Sequence, residues 1–166
     1  MKKFRNSKPA QHLVFVYGTM LTNCYNHHRV SDQKFVGVAT TAEVFNFSYK
    51  FSPRQIPYVW RPTKADDLRH YAAPVTGELY AVDADTFRHL DIREGHPYVY
   101  RRERILVYVE KAGRLDPVEC WAYIGNRFDH SECVKASPEC GKHEWLDYYD
   151  SRLHYDTQGH RAGAFV

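Results

Sequence analysis

Short apolar runs separated by glycine and proline recur along the chain and predict a β-rich fold. β-Branched and aromatic residues dominate these runs, as is typical of strands. We interpret the following stretches as strands, with a bend or bulge expected at Gly37: Leu13–Tyr17, Lys34–Tyr49, Val75–Val82, Tyr98–Glu110 and Val118–Ile124. A total of about six short strands with one marked helix indicates an α+β fold, and we predict a small mixed β-barrel.

One α-helix is clearly predicted, between an aspartate that caps its N-terminus and a glycine that ends it. Asp83 and Asp85 are both suitable N-cap residues, and Gly95 is a natural end signal. Glu94, the last residue before that stop, shares a helical face with two apolar residues, Phe87 and Leu90. The helix therefore directs a carboxylate toward the interior of the protein.

An inward-facing Glu94 has one chemical and one structural explanation. Burying a carboxylate costs several kcal/mol unless a partner or a reaction uses it, and both burial and the helix C-terminus should raise its pKa. Glu94 is therefore a candidate catalytic acid and base. The structural alternative is an ion pair with one of three nearby arginines, Arg93, Arg101 or Arg102.

A second candidate site follows the first predicted strand. The strand ends in Tyr17-Gly18-Thr19-Met20, where glycine permits an unusual φ and close approach of a ligand. Consecutive backbone N–H groups in such a turn can bind a carboxylate or an oxyanion. A strand-to-turn corner that binds nothing is the simpler alternative.

The remaining segments suggest one domain with an extension. Prolines break the chain around Ile56–Trp60, which we predict to be a loop. The stretch after residue 125 is charged and contains cysteines, histidines and one predicted helix, His143–Leu153. We therefore divide the chain into a domain over residues 12–125 and a C-terminal extension over residues 126–166, packed on or near it.

Composition and charge exclude several classes of protein. The net charge of +3 is too small, and the basic residues too dispersed, to indicate nucleic-acid binding. No stretch approaches the roughly 18 apolar residues of a membrane span, and the first apolar run is about half the length of a signal-peptide core. We therefore expect a cytoplasmic protein that binds neither nucleic acid nor membrane. The 13 tyrosines suit strands and polar-tipped pocket walls.

The cysteines and histidines give only weak signals. The four cysteines lack the spacing of a disulfide framework, so we expect reduced thiols. A zinc site is an alternative, and its candidate ligands are Cys133, Cys140 and His143 with Cys120 or His130. These residues lack the closely spaced cysteine pair that zinc modules contain. His27-His28 is interpreted as a polar loop pair and His96 as an exposed turn residue.

The order of these motifs resembles the γ-glutamylcyclotransferase-like family, which includes γ-glutamylamine cyclotransferases and plant AIG2-like proteins. The matching segments are Val14–Met20, Val75–Tyr80, Leu90–Gly95, Pro97–Arg102 and Trp121–Ile124. The chain departs from the family at Met20, where leucine is common, and at Trp60 with the charged insertion after it. The C-terminal extension has no counterpart in the pattern.

The resemblance implies a reaction and the residues that perform it. Family members release 5-oxoproline from a small γ-glutamyl compound when its α-amine attacks its own γ-carbonyl. Glu94 matches the family's catalytic glutamate, the Tyr17–Met20 turn matches its glutamyl-binding turn, and Tyr100 matches a pocket tyrosine. No metal or cofactor is implied, since the turn supplies the oxyanion donors. A non-enzymatic binding module on the same fold is the alternative.

Overall fold

The computed structural model of the chain describes residues 11–48, 57–62 and 72–126. These residues contain seven strands, which are β1 His12–Val16, β2 Lys34–Thr41, β3 Asn46–Ser48, β4 Tyr58–Trp60, β5 Thr76–Val82, β6 Tyr100–Lys111 and β7 Arg114–Gly125. They also contain a 3₁₀ helix, His27–Arg29, and the α-helix α1, Ala84–Arg93. None of the helices in this part of the chain is long and apolar enough to cross a membrane.

Five of the strands close into a barrel in the order β1-β5-β2-β6-β7. Their neighbours pair antiparallel except for β1 and β7, which run parallel with Val14 opposite Trp121 and Phe15 opposite Ala122. Strands β3 and β4 form a separate two-stranded sheet. The predicted small mixed barrel is confirmed, and it closes with fewer strands than the total of about six that we predicted.

The strands β6 and β7 form one long hairpin. They pair over their full lengths, from Tyr100 opposite Gly125 to the turn at the other end. Both turn residues have positive φ, 48° at Ala112 and 77° at Gly113, which matches the twist of a tight hairpin. Strand β7 begins earlier than the predicted start at Val118, because pairing with β6 orders the polar residues that precede it.

The α1 helix begins and ends as its sequence predicts. Of the two cap candidates Asp83 is the N-cap, and its Oδ1 accepts the Thr86 N–H at 2.7 Å. Phe87 and Leu90 are buried against the barrel. After the C-cap the chain turns at Gly95, whose φ of +64° favours glycine.

Two predicted segments differ from the structure. Residues 58–60 of the predicted loop form the strand β4, whose three side chains are buried, because the β-prone run Tyr-Val-Trp finds a partner in β3. The single strand predicted over Lys34–Tyr49 ends at Thr41 and resumes at β3. The bulge expected at Gly37 is confirmed by a register shift between Phe35 and Gly37.

The C-terminal extension predicted over residues 126–166 lies outside the described residues, apart from Asn126. The same is true of its helix, His143–Leu153, and of the zinc candidates Cys133, Cys140, His130 and His143.

We predict that Gly77→Ala destabilises the barrel, because the backbone of β1 leaves no room for a side chain. A Cβ at Gly77 would lie 2.2 Å from the Val16 carbonyl oxygen and 2.8 Å from the Phe15 ring. Urea denaturation should show a loss of about 2–4 kcal/mol. The control is Gly37→Ala, whose nearest neighbour is a side-chain methyl of Val109 at 2.8 Å. That variant should lose less, and equal losses would contradict the argument.

Candidate active site

A pocket opens at the end of the barrel where β1 and β7 end and β6 begins. Its cavity of about 40 Å³ admits a small chemical group and leaves the rest of a larger ligand outside. The pocket is lined by Phe15, Val16, Tyr17, Gly18, Thr19, Met20, Pro57, Glu94, Tyr100 and Tyr123. The structure therefore brings all of the predicted site residues together: Tyr17, Gly18, Thr19, Met20, Glu94 and Tyr100.

Glu94 lies at the C-cap of α1, half-buried, and lines this pocket. Burial raises the pKa of its carboxyl to about 7, while the charges of Arg93 and Arg29 act in the opposite direction. The carbonyl end of the helix dipole also disfavours a negative charge at this position. A carboxyl group with such a pKa exchanges its proton readily in both directions near neutral pH.

The turn after β1 lines the pocket and contains backbone N–H groups that have no acceptor among the described residues. No acceptor within residues 11–48, 57–62 and 72–126 takes the N–H of Gly18, Thr19 or Met20. The carbonyl groups of the turn are used instead, since the Gly18 oxygen accepts from Leu21 at 2.9 Å and the Thr19 oxygen from Asn26 at 3.0 Å. A row of available N–H groups can bind a carboxylate or a polarised carbonyl oxygen.

A buried carboxylate fastens this turn to β5. Glu78 is 2% exposed, and its Oε2 accepts the Thr22 N–H at 2.9 Å and the Thr22 hydroxyl at 3.0 Å. The Tyr80 hydroxyl donates to the same oxygen at 2.9 Å. Removing the carboxylate would take from the buried Tyr80 hydroxyl the acceptor to which it donates. In the sequence, Glu78 lies within the Val75–Tyr80 segment of the family resemblance, which implies no role for it.

The opposite wall of the pocket approaches the turn at its glycine. A Cβ at Gly18 would lie 3.1 Å from the Cβ of Pro57, so a larger residue would push this wall away. The Tyr100 hydroxyl donates to the Pro57 carbonyl at 3.4 Å, and its ring packs 5.0 Å from that of Tyr58. Burial, with the nearby Glu94 charge, raises the pKa of Tyr100, so its hydroxyl keeps its proton.

Tyr123 is a pocket residue that the sequence analysis missed. Its hydroxyl donates to Asp91 Oδ1 at 2.8 Å, and its carbonyl accepts from the Tyr17 hydroxyl at 2.5 Å. Asp91 also forms an ion pair with Arg102, whose guanidinium lies 4.4 Å from the centre of the Phe87 ring. This network ties the last turn of α1 to β6 and β7. The only indication in the sequence was that Tyr123 belongs to the segment Trp121–Ile124, which matches the family.

The structural alternatives for the acidic and histidine residues are resolved by their contacts. In the described part of the chain, Glu94 forms no ion pair, and Arg102, one of its three candidate partners, pairs with Asp91 instead. His96 is half-buried rather than exposed, and its Nδ1 accepts the Arg102 N–H at 3.1 Å. His27 bonds to the Met20 carbonyl at 3.1 Å, so it supports the turn that lines the pocket.

Metal ligands do not gather in the part of the chain that is described. No group of three or more His, Cys, Asp or Glu residues there could hold a metal ion. Cys120, a candidate zinc ligand, is buried and its sulfur faces the Ile105 carbonyl at 3.9 Å. Its contacts are those of a core residue.

The pocket combines three chemical functions. It has a carboxyl group that exchanges protons near neutral pH, a row of backbone N–H donors, and tyrosine hydroxyls that stay protonated. Together these groups can bind a carboxylate, stabilise an oxyanion and move a proton between two nitrogen atoms. Such a set suits acyl transfer.

Comparison with known proteins gives consistent matches. A family model described as gamma-glutamyl cyclotransferase, AIG2-like, matches residues 14–147. A gamma-glutamylaminecyclotransferase of Bos taurus is 31% identical over 157 residues, which cover 89% of this chain and 83% of that protein. The Rattus norvegicus protein of the same name is 30% identical over 151 residues, covering 88% of this chain and 90% of its own.

The fold is also found in a crystal structure. An AIG2-like protein from Mus musculus superposes with a TM-score of 0.63 at 27% identity, covering 76% of this chain and 87% of that one.

We predict that Glu94→Gln leaves the fold intact and becomes more stable than the wild type as the pH rises. The folded-state pKa of about 7 exceeds the ordinary value of 4.5, so ionisation of Glu94 opposes folding. That cost is absent at low pH, grows between the two pKa values and is complete above the higher one. Between about pH 4 and pH 8, urea denaturation should show that the variant gains about 3 kcal/mol in unfolding free energy relative to the wild type.

The control for this measurement is Glu110→Gln, because Glu110 is an exposed carboxylate on β6. Its stability relative to the wild type should change little across the same interval. A Glu94→Gln protein that is less stable than the wild type at the higher pH would show that Glu94 is a structural carboxylate.

Proposed function

This chain belongs to the gamma-glutamyl cyclotransferase, AIG2-like family, and from that premise we propose that it releases 5-oxoproline and a free amine from a γ-glutamyl compound. The observation that carries the proposal is the presence of Glu94, with its pKa of about 7, in the same pocket as the available N–H groups of the Tyr17–Met20 turn. The proposed substrates are free γ-glutamyl-amines or γ-glutamyl-amino acids. We assign the reaction to a domain over residues 12–125, acting in the cytoplasm.

Glu94 is proposed to move the proton that the reaction must transfer. The α-nitrogen of the substrate is protonated at neutral pH and cannot attack, so the Glu94 carboxylate takes a proton from it as the new carbon–nitrogen bond forms. When the old amide bond breaks, the same carboxyl group gives that proton to the departing nitrogen. The second proton, which the ring nitrogen loses as the lactam forms, passes to the departing amine, which leaves as an ammonium ion. The products are a five-membered lactam and an amine, and no water is consumed. A pKa close to neutral suits a group that serves both steps.

The turn is proposed to hold the glutamyl group in the conformation that closes the ring. In this proposal the N–H groups of Gly18, Thr19 and Met20, which line the pocket and have no acceptor among the described residues, bind the glutamyl moiety and the oxygen on which charge develops. Nucleophile and carbonyl belong to one molecule, so correct folding of the substrate supplies most of the advantage of proximity. The Tyr100 hydroxyl keeps its proton and donates it to the Pro57 carbonyl, so toward the substrate its oxygen offers an acceptor.

Release of 5-oxoproline is the direct test. We expect the protein to release it from at least one of γ-glutamyl-ε-lysine, γ-glutamyl-alanine, glutathione and γ-glutamyl-alkylamines. Glu94→Gln should lower kcat by about 10²- to 10⁴-fold, because it can neither accept nor return the proton. Glu110→Gln should retain full activity. No release from any of these compounds by folded protein would contradict the proposal and favour a binding module.

The pH dependence of the reaction should report the ionisation of Glu94. The base must be deprotonated, so kcat/KM should rise as the pH passes through about 7. Arg93→Gln removes a charge that lowers the pKa of Glu94 and should therefore move the midpoint upward. Arg88→Gln is the control, because Arg88 pairs with Asp85 on the exposed surface of the same helix. If Arg93→Gln and Arg88→Gln shift the midpoint of the pH profile equally, the assignment of that midpoint to Glu94 is contradicted.

A further inference from the structure

A basic groove beside α1 has no role in the reaction described so far. It measures about 500 Å³ and lies between the 3₁₀ helix and α1. Its cationic and basic lining comes from His28, Arg29, His89 and Arg93, and its apolar surface from Leu90 and Ile92. Within the described residues no carboxylate lines this groove, so its field is positive.

Residues that line the groove are close, along the chain or through hydrogen bonds, to residues that line the pocket. Arg93 immediately precedes Glu94 on the chain. Arg29 Nε donates to Asn26 Oδ1 at 3.2 Å, and Asn26 Nδ2 donates in turn to the Thr19 hydroxyl at 3.0 Å. While burial raises the pKa of Glu94, the charges of both arginines lower it, so both lie within electrostatic reach of that carboxyl. The two arginines of the groove are therefore near neighbours of the Glu94 carboxyl.

The two arginines of the groove are available to an anion. Neither Arg29 nor Arg93 forms an ion pair with a carboxylate in the part of the chain that the structure covers. Other arginines there do form such pairs, namely Arg61, Arg88, Arg102, Arg104 and Arg114. A guanidinium group binds carboxylate and phosphate oxygens in a fork geometry when no protein carboxylate occupies it.

We propose that the groove binds the leaving group of the substrate and selects γ-glutamyl compounds whose leaving amine carries an anionic group. The inference rests on the proposed function. The pocket of about 40 Å³ takes only a small part of the substrate, and in this proposal the remainder lies in the groove. There a carboxylate is attracted by Arg29 and Arg93, whereas a second ammonium group is repelled. The exposed Ile92 side chain contacts the carbon chain that links the charge to the amide.

Three substrates of nearly equal size and different charge test this selection. They are γ-glutamyl-β-alanine, γ-glutamyl-β-alaninamide and mono-γ-glutamyl-1,3-diaminopropane, whose leaving amines carry an anionic, a neutral and a cationic end. We expect kcat/KM to fall in that order, with the anionic compound preferred over the neutral one by about five- to ten-fold at low ionic strength. High salt should reduce the preference, because the groove is open to solvent.

Substitutions locate the preference in the groove. Arg93→Gln should reduce the anionic-to-neutral ratio of kcat/KM by several-fold, and the ratio cancels any effect of Arg93 on the ionisation of Glu94. The double variant Arg29→Gln/Arg93→Gln should abolish the preference. Arg88→Gln removes the same charge from the same helix outside the groove and should leave the ratio unchanged.

Binding separates failure of this inference from failure of the proposed function. Calorimetry with Glu94→Gln measures the affinity of the three intact compounds whether or not the wild type turns them over. If the affinities fall in the order anionic, neutral, cationic, they support binding in the groove, even when the wild type cleaves none of the compounds. Absence of cleavage would then contradict the proposed reaction but not the groove. Equal affinities, or an equal loss of preference in Arg93→Gln and Arg88→Gln, would overturn it.

Discussion

The parallel pairing of β1 with β7 is the constraint on which the site depends. Parallel neighbours end at the same side of a sheet, so Val14 opposite Trp121 and Phe15 opposite Ala122 place the turn after β1 beside the last residues of β7. Strand β6 runs antiparallel to β7 and therefore begins at this same end. The α1 helix returns from the far end of β5 and finishes here too. Barrel closure thus gathers a turn, a helix end and two strand ends around one small cavity.

Two glutamates at this end of the barrel show how environment divides their roles. Glu78 is almost fully buried, and three donated hydrogen bonds from Thr22 and Tyr80 satisfy one of its oxygens. Glu94 is half-buried, and burial outweighs the nearby positive charges, so its pKa rises to about 7. Well-bonded carboxylates are suited to holding structure, and poorly compensated ones to exchanging protons. The first glutamate fixes the turn, and the second faces the cavity that this turn helps to form.

The features that the sequence predicted are those encoded by neighbouring residues. The Asp83 cap, the Gly95 stop and the spacing of Glu94 are local signals, and so is the glycine turn after β1. The contacts of Tyr123 with Asp91 and Tyr17 join residues far apart in the chain, and no local pattern announces them. The basic groove is equally hidden, since it exists only once the 3₁₀ helix packs beside α1. Strand β4 was missed because its flanking prolines suggested a loop, whereas pairing with β3 decided its structure.

The charges around Glu94 link its ionisation to the surroundings of the pocket. Burial alone would keep the carboxyl protonated to a higher pH, and Arg29 and Arg93 offset part of that cost from outside the cavity. Both side chains also line the groove that we propose for the leaving group. An anion bound there would weaken their effect on Glu94 and raise its pKa, which makes the carboxylate a stronger base but delays its deprotonation to a higher pH. One pair of arginines can therefore couple the binding of an anionic leaving group to the ionisation of Glu94.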